Sequence, residues 1–90
     1  MDTYFEASFE KDLKKLKDRT VLQTVKEIIA DVKQAATIRD IASVKKLRGY
    51  DTYYRIRFGK YRIGLEITND AVIFVRCLHR KDMYRYFPKE

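Results

Sequence analysis

The chain is poor in the residues that staple or punctuate a fold. Its 90 residues include one cysteine, one proline, one histidine and three glycines, and no tryptophan. A lone cysteine, Cys77, forms no internal disulfide, and no Cys/His group has the spacing of a zinc site. Neither a disulfide framework nor a bound metal or other cofactor is expected. The single proline, Pro88, lies near the end, and no Gly/Pro/Ser-rich stretch, repeat or low-complexity run marks an internal boundary. One domain over 1–90 is therefore expected. No apolar run approaches the roughly 20 residues that cross a bilayer. The segment Met1 to Glu10 carries acids and lacks the basic start of a secretory signal. A cytoplasmic protein without membrane attachment is the plain expectation.

What is present is charge. Apolar residues make up 46% and charged ones 37%, the balance of a soluble globular chain rather than a disordered tail. The net charge of +7 is unevenly placed. Residues 1–43 hold eight basic and eight acidic side chains, whereas residues 44–90 hold twelve basic and five acidic ones. A one-signed field of this kind attracts a polyanion: nucleic acid, an anionic membrane or an acidic protein. A generally basic surface kept for solubility is the bland alternative.

Hydrophobic spacing divides the chain into elements. Residues 2–6 suit a short strand. Ser8 reads as a helix N-cap, and Phe9, Leu13 and Leu16 follow at helical spacing. Lys11, Lys14, Lys15 and Lys17 fill the outer side, as a solvated helix face does. Thr20 opens a second helix with Val21, Val25, Ile28, Ile29 and Val32 on one stripe, so the two form a helical hairpin. Residues 35–46 fit either a short helical turn or an irregular connection. From Tyr53 the period becomes two: Tyr54, Ile56 and Phe58 face one way, Tyr53, Arg55 and Arg57 the other. Phe58-Gly59-Lys60-Tyr61 fits a type II′ hairpin, which needs glycine at its first loop position. The next strand sets Tyr61, Ile63, Leu65 and Ile67 against Arg62, Gly64 and Glu66. Thr68-Asn69-Asp70-Ala71 makes another turn, and residues 72–78, apolar on both faces, suit a central strand. The expected fold is α+β: an N-terminal strand and two-helix hairpin on an antiparallel sheet, with a short segment after it.

The hairpin register places chemistry. With Phe58 and Tyr61 flanking the loop, Ile56 pairs with Ile63, Tyr54 with Leu65 and Arg57 with Arg62. Opposed like charges destabilise a sheet, so a purely structural sequence has little reason to place them there. On an anion-binding face the cost is offset when phosphate arrives. The alternative is that each guanidinium pairs with Glu66 or Asp82, or splays into water. Carried through Asn69-Asp70, the register pairs Ile67 with Val72 and Leu65 with Phe74. It puts Ile73, Val75, Cys77 and His79 on the arginine face and leaves Arg76 on the core side. Either Arg76 reaches past the core edge or a bulge shifts the strand. His79 is the one side chain with an ordinary pKa near neutrality. Tyr84 and Tyr86 can stack on a base or donate a hydrogen bond. Phe87 is expected to pack against the sheet, and Cys77 to be a small packed residue rather than a nucleophile.

The segments Lys45-Lys46-Leu47-Arg48-Gly49, Tyr53-Tyr54-Arg55-Ile56-Arg57, Lys60-Tyr61-Arg62-Ile63 and Leu78-His79-Arg80-Lys81-Asp82-Met83-Tyr84, in this order, resemble the RelE/ParE superfamily of type II toxin–antitoxin toxins. The likeness covers nearly the whole chain and implies a RelE-like microbial RNase fold. RelE-like members enter the ribosomal A site and cut the codon there, whereas ParE-like members poison gyrase. The arginines on the hairpin strands favour the first branch. The resemblance implies metal-independent attack of an RNA 2′-hydroxyl on the adjacent phosphorus. Arg57, Arg62 and Arg80 would hold the phosphate, His79 or Arg55 would help remove the 2′ proton, and Tyr84 or Tyr86 would stack on or orient the base. Some RNase branches carry lysine where Arg55 and Arg57 stand, which leaves the base open. Lys45, Lys46, Arg48, Lys60, Lys81 and Arg85 would supply the surrounding contacts to RNA and ribosome. An acidic, amphipathic antitoxin segment is the implied partner, in a toxin–antitoxin hetero-oligomer, docking where Ile73 and Val75 lie exposed. The rivals are a ParE-like gyrase inhibitor and a non-enzymatic RNA- or protein-binding module.

Overall fold

The computed structural model describes residues 1–88. Its elements run β1 (Asp2–Phe5), α1 (Ala7–Lys15), α2 (Arg19–Gln34), a 3-10 turn (Ile38–Asp40), β2 (Val44–Lys46), β3 (Tyr53–Phe58), β4 (Tyr61–Thr68), β5 (Ala71–His79) and α3 (Met83–Tyr86). The α+β class is as expected, but the sheet is mixed. Its five strands lie in the order β1-β5-β4-β3-β2, with β1 parallel to β5 and the other neighbours antiparallel. The additional strand, β2, comes from the stretch read as a turn or connection. Only Val44 of its three residues is apolar, so it has no alternation to read; it exists because β3 offers it a partner.

The helices cover one face of the sheet. Phe9, Val25 and Val32 are buried there with Ile56, Ile63, Leu65, Ile67, Val72 and Phe74, and Leu13, Leu16, Ile28 and Ile29 pack against them. Lys11, Lys14, Lys15 and Lys17 all face solvent, as the spacing predicts. Asp18 caps α2 through its carboxylate, which accepts from the backbone N–H groups of Thr20 and Val21, so the helix begins just before Thr20. Ser8, by contrast, is not a cap. The helix starts at Ala7, and the Ser8 hydroxyl donates to the carbonyl of Val75 at 2.6 Å.

That bond points to the main departure from the expected register. The hairpin pairs Phe58 with Tyr61, Arg57 with Arg62, Ile56 with Ile63 and Tyr54 with Leu65, and Gly59 takes a φ of +54°. Ile67 pairs with Val72 and Leu65 with Phe74, again as expected. Between Gly64 and Leu65 the pairing then slips: Gly64 meets Arg76, Ile63 meets Cys77, Arg62 meets Leu78 and Tyr61 meets His79. One extra residue, Val75, makes a β-bulge in β5 and reverses the faces beyond it. Cys77 and His79 therefore do not share the arginine face. Cys77 is buried in the core beneath the helices, and Leu78 stands opposite Arg62.

The bulge lies where β5 loses a strand neighbour. β1 ends at Phe5, and the backbone N–H of Glu6 makes a last bond to the carbonyl of Phe74. From there α1 takes over the edge. Ser8 holds the Val75 carbonyl, and the Asp12 carboxylate accepts from the N–H of Cys77 at 2.9 Å. Asp12 also accepts from Nε of Arg76 at 2.7 Å and Nη2 at 3.0 Å. A buried carboxylate needs such partners. This one meets the strand edge and the guanidinium together: the bulge turns Arg76 to the face of Gly64, away from the core, and the ion pair holds its guanidinium at the strand edge.

A second, smaller core lies on the opposite face. Leu47, Met83 and Phe87 are buried there, flanked by Tyr50, Tyr53, Val75 and Leu78. Val75, expected to be exposed, is thus covered by the chain's own C-terminal segment, and Ile73 is half-buried. Phe87 packs on the sheet as expected, over Gly64. A Cβ at Gly64 would lie 2.7 Å from the ring. Gly64→Ala should therefore displace a buried aromatic and cost about 1–3 kcal/mol. Urea unfolding of the two chains checks this, and equal midpoints would show that the ring yields freely.

Candidate nucleic-acid interface

The hairpin builds the site from adjacent residues. Because strand side chains alternate, Arg55 and Arg57 leave β3 on the face that Arg62 occupies on β4, with Arg57 and Arg62 directly paired. The Arg62 guanidinium folds back onto its own turn, with Nη1 donating to the carbonyls of Gly59 at 3.0 Å and Tyr61 at 2.8 Å. Its Nε and Nη2 make no hydrogen bond with any described residue and stay available. Arg80 joins from the end of β5, where its backbone N–H donates to the Lys60 carbonyl at 2.7 Å and ties the strand end to the hairpin loop. Partial burial lowers the Arg62 pKa from the ordinary arginine value. The nearby positive charges of Arg55, Arg57 and Arg80 lower it further, and Tyr84 opposes them. Four cations, none of them ion-paired with an acid among the described residues, form an electrostatic site that an incoming phosphate relieves.

A cleft of ≈ 1030 Å³ adjoins this group. Lys45, Lys46 and Arg48 line it with Arg55 and Tyr84, so expected RNA contacts and expected reactive residues share one concavity. Lys60 and Lys81 are exposed beside the arginines, at the hairpin turn and just after β5. The two tyrosines separate. Tyr84 is 69% exposed and belongs to the arginine group and its cleft. Tyr86 lies with Arg76 and Arg85, whose guanidinium carbons stand 5.6 and 5.9 Å from its ring centre, beside a smaller cleft lined by Glu6 and Glu66.

His79 is not brought to the arginines. It projects on the side of Tyr61, with ring centres 5.6 Å apart, and its Nδ1 accepts from the N–H of Lys81 at 3.2 Å. Cys77 is also no nucleophile. Burial first, then the negative charge of Asp12, pushes its thiol up from about 9 to about 12. The native chain should resist alkylation by iodoacetamide at neutral pH and react readily in urea; rapid native labelling, read by mass spectrometry, would contradict the burial. The folded state keeps a proton that the unfolded state releases, so this contribution to stability is complete below pH 9 and is lost as pH rises toward 12.

Reading residues one at a time misses two features of this region. Asp12 fixes the bulge that sends Leu78 to the arginine face, and the only sign of it is an acid three places after Phe9 on a buried stripe. The loop of residues 48–51 forms one wall of the large cleft, and its sequence signal is Gly49, which adopts a φ of +85°.

Comparison with known proteins identifies the family. The family model described as the ParE toxin of the type II toxin–antitoxin system parDE matches residues 4–84. Toxin RelE3 of Methanocaldococcus jannaschii is 43% identical over 98% of this chain and 100% of its own. The chain belongs to the RelE/ParE family of type II toxin–antitoxin toxins. A second relative from that organism, described as putative toxin RelE1, is 33% identical over 80% of each chain. Among solved structures, the RelB–RelE antitoxin–toxin complex from Methanococcus jannaschii contains a chain with a TM-score of 0.80 and 41% identity, covering 94% of this chain and 99% of that one. The RelE-type fold is therefore present, with the arginine face on the side of the sheet away from α1 and α2. Among the described residues, no helix is long and apolar enough to cross a membrane.

Proposed function

We propose that this toxin is a ribosome-dependent mRNA endoribonuclease. The observation that carries the reading is the opposed Arg57–Arg62 pair with Arg55 and Arg80 beside it, an arrangement unfavourable to the sheet and suited to a phosphodiester. In the proposed reaction the 2′-oxygen of one nucleotide attacks the adjacent phosphorus as its proton leaves. The P–O5′ bond breaks, the 5′-oxygen takes up a proton, and a 2′,3′-cyclic phosphate and a 5′-hydroxyl remain. Arg57, Arg62 and Arg80 hold the phosphate and stabilise the charge that grows on it. Tyr84, rather than Tyr86, offers a stacking face. With the only histidine on the other side of the sheet, Arg55 is the expected group left beside the 2′-hydroxyl. It orients that oxygen while water accepts the proton, because a guanidinium is too basic to serve as an efficient proton acceptor. The chemistry uses RNA's own hydroxyl as nucleophile and calls on no metal.

We further propose that a RelB-type antitoxin, the kind of partner present in the M. jannaschii antitoxin–toxin complex, binds this chain in a hetero-oligomer and restrains it through an acidic segment drawn to the basic face. The site of action is then the cytoplasm, where translating ribosomes are. The test is a purified translation system, with mRNA ends mapped and their termini identified. Cuts within translated codons, with 2′,3′-cyclic phosphate ends, are expected, and intact mRNA would overturn the reading. A gyrase inhibitor is the second reading, favoured by the ParE description of the matching family model. Trapped DNA breaks with uncut mRNA would establish it.

A further inference from the structure

One group in the large cleft runs against its field. Asp51 lines it in company with Lys45, Lys46, Arg48 and Arg55, is exposed, and makes no hydrogen bond or ion pair with any described residue. If the cleft only gathered phosphates, this carboxylate would weaken the attraction and do nothing in return. A carboxylate accepts hydrogen bonds and donates none. Of the four RNA bases, guanine alone presents two adjacent N–H donors, N1 and N2, on its Watson–Crick edge, spaced to meet the two carboxylate oxygens. Unstacked bases are read on such edges while an aromatic ring supports their face. Tyr84, the most exposed of the large apolar and aromatic side chains, lines the same cleft.

We propose that the cleft holds one nucleotide of the RNA and that Asp51 selects guanine there, with Tyr84 under the base and the surrounding cations on its phosphates. The inference rests on the proposed RNA-binding role of this face and deepens it. Asp51 thus acts in two directions: it lowers affinity for RNA in general and raises affinity for RNA with guanine in the cleft.

Binding of uncleavable RNA tests this without relying on catalysis. Full-length toxin is titrated, by fluorescence anisotropy, with 2′-O-methyl oligouridines carrying one central guanine, adenine or inosine. Inosine keeps the N1 donor and lacks the N2 amine. The native chain should bind the guanine form about five- to tenfold more tightly than either other form. Asp51→Ala should bring the three within roughly twofold, while the adenine and inosine forms bind more tightly than they do to the native chain. Asp51→Asn, which keeps the size of the side chain, should also lose the guanine preference. A native chain with no guanine preference, a preference that survives Asp51→Ala, or no binding of any form would overturn the assignment. Cleavage of translated mRNA by the native chain is scored separately. Cleavage without a guanine preference removes only the role of Asp51, whereas a guanine preference without cleavage removes only the nuclease.

Discussion

Arg62→Ala should slow mRNA cleavage on translating ribosomes by about 10²–10³-fold, as loss of a preorganised charge donor does, while the thermal midpoint holds or rises. The two outcomes have one cause. Arg62 sits directly across from Arg57 with Arg55 and Arg80 nearby, and its guanidinium is partly withdrawn from water. Removing it relieves like-charge repulsion in a cross-strand pair, and the loss of two bonds to turn carbonyls roughly offsets that gain. In the transition state the same guanidinium meets phosphate oxygens, where its unspent Nε and Nη2 count most. Arg62→Lys keeps the charge and loses the planar fork, so it should recover only part of the rate. Single-turnover cleavage beside a thermal melt measures both quantities. A full rate in a folded Arg62→Ala chain would take Arg62 out of the site, and a rate that falls only as the fold falls would make it structural.

Asp12→Ala should destabilise the fold by about 3–5 kcal/mol, the usual cost of breaking a buried ion pair from one side. The carboxylate is 7% exposed and accepts from Arg76 twice and from the Cys77 backbone once. Its loss leaves a partly buried guanidinium without its close countercharge and frees an N–H at an unpaired strand edge. Arg76→Met should also cost stability, by leaving the carboxylate buried without its countercharge. The double variant should be less damaged than the sum of the two, since neither charge is then left alone. Urea denaturation of the four chains gives the cycle. A loss below about 1 kcal/mol for Asp12→Ala, in the range of exposed pairs, would mean that the ion pair is solvated and that the bulge holds without it.

The hairpin from Tyr53 to Thr68 was readable because everything that specifies it is local. Period-two spacing assigns the faces, and Gly59 marks the turn that sets the register. The same reasoning failed at Val75 because the bulge is set by Asp12, which lies 64 residues from Arg76. Only one partner stands out in the sequence, an arginine on the core side of an apolar strand; Asp12 is one acid within a lysine-rich helix face. Arg76 looks like a misfit only because Asp12, its partner, is far away along the chain. β2 was unreadable for a different reason: three residues with one apolar side chain carry no pattern, and the pairing comes from β3.

The candidate site divides in the same way. Alternation along two adjacent strands and one tight turn, all legible in the residues themselves, put Arg55, Arg57 and Arg62 on one face. Packing decided the rest. The bulge sent His79 to the other side of the sheet, and the seating of Met83 and Phe87 on the arginine face left Tyr84 beside the arginines and Tyr86 with Arg76. The single cysteine followed from composition, and the charge asymmetry and absence of long apolar runs followed from the order of residues along the chain. Which titratable and aromatic groups stand with the arginines did not, because that choice depends on contacts between α1, β5 and the C-terminal segment that no local pattern encodes.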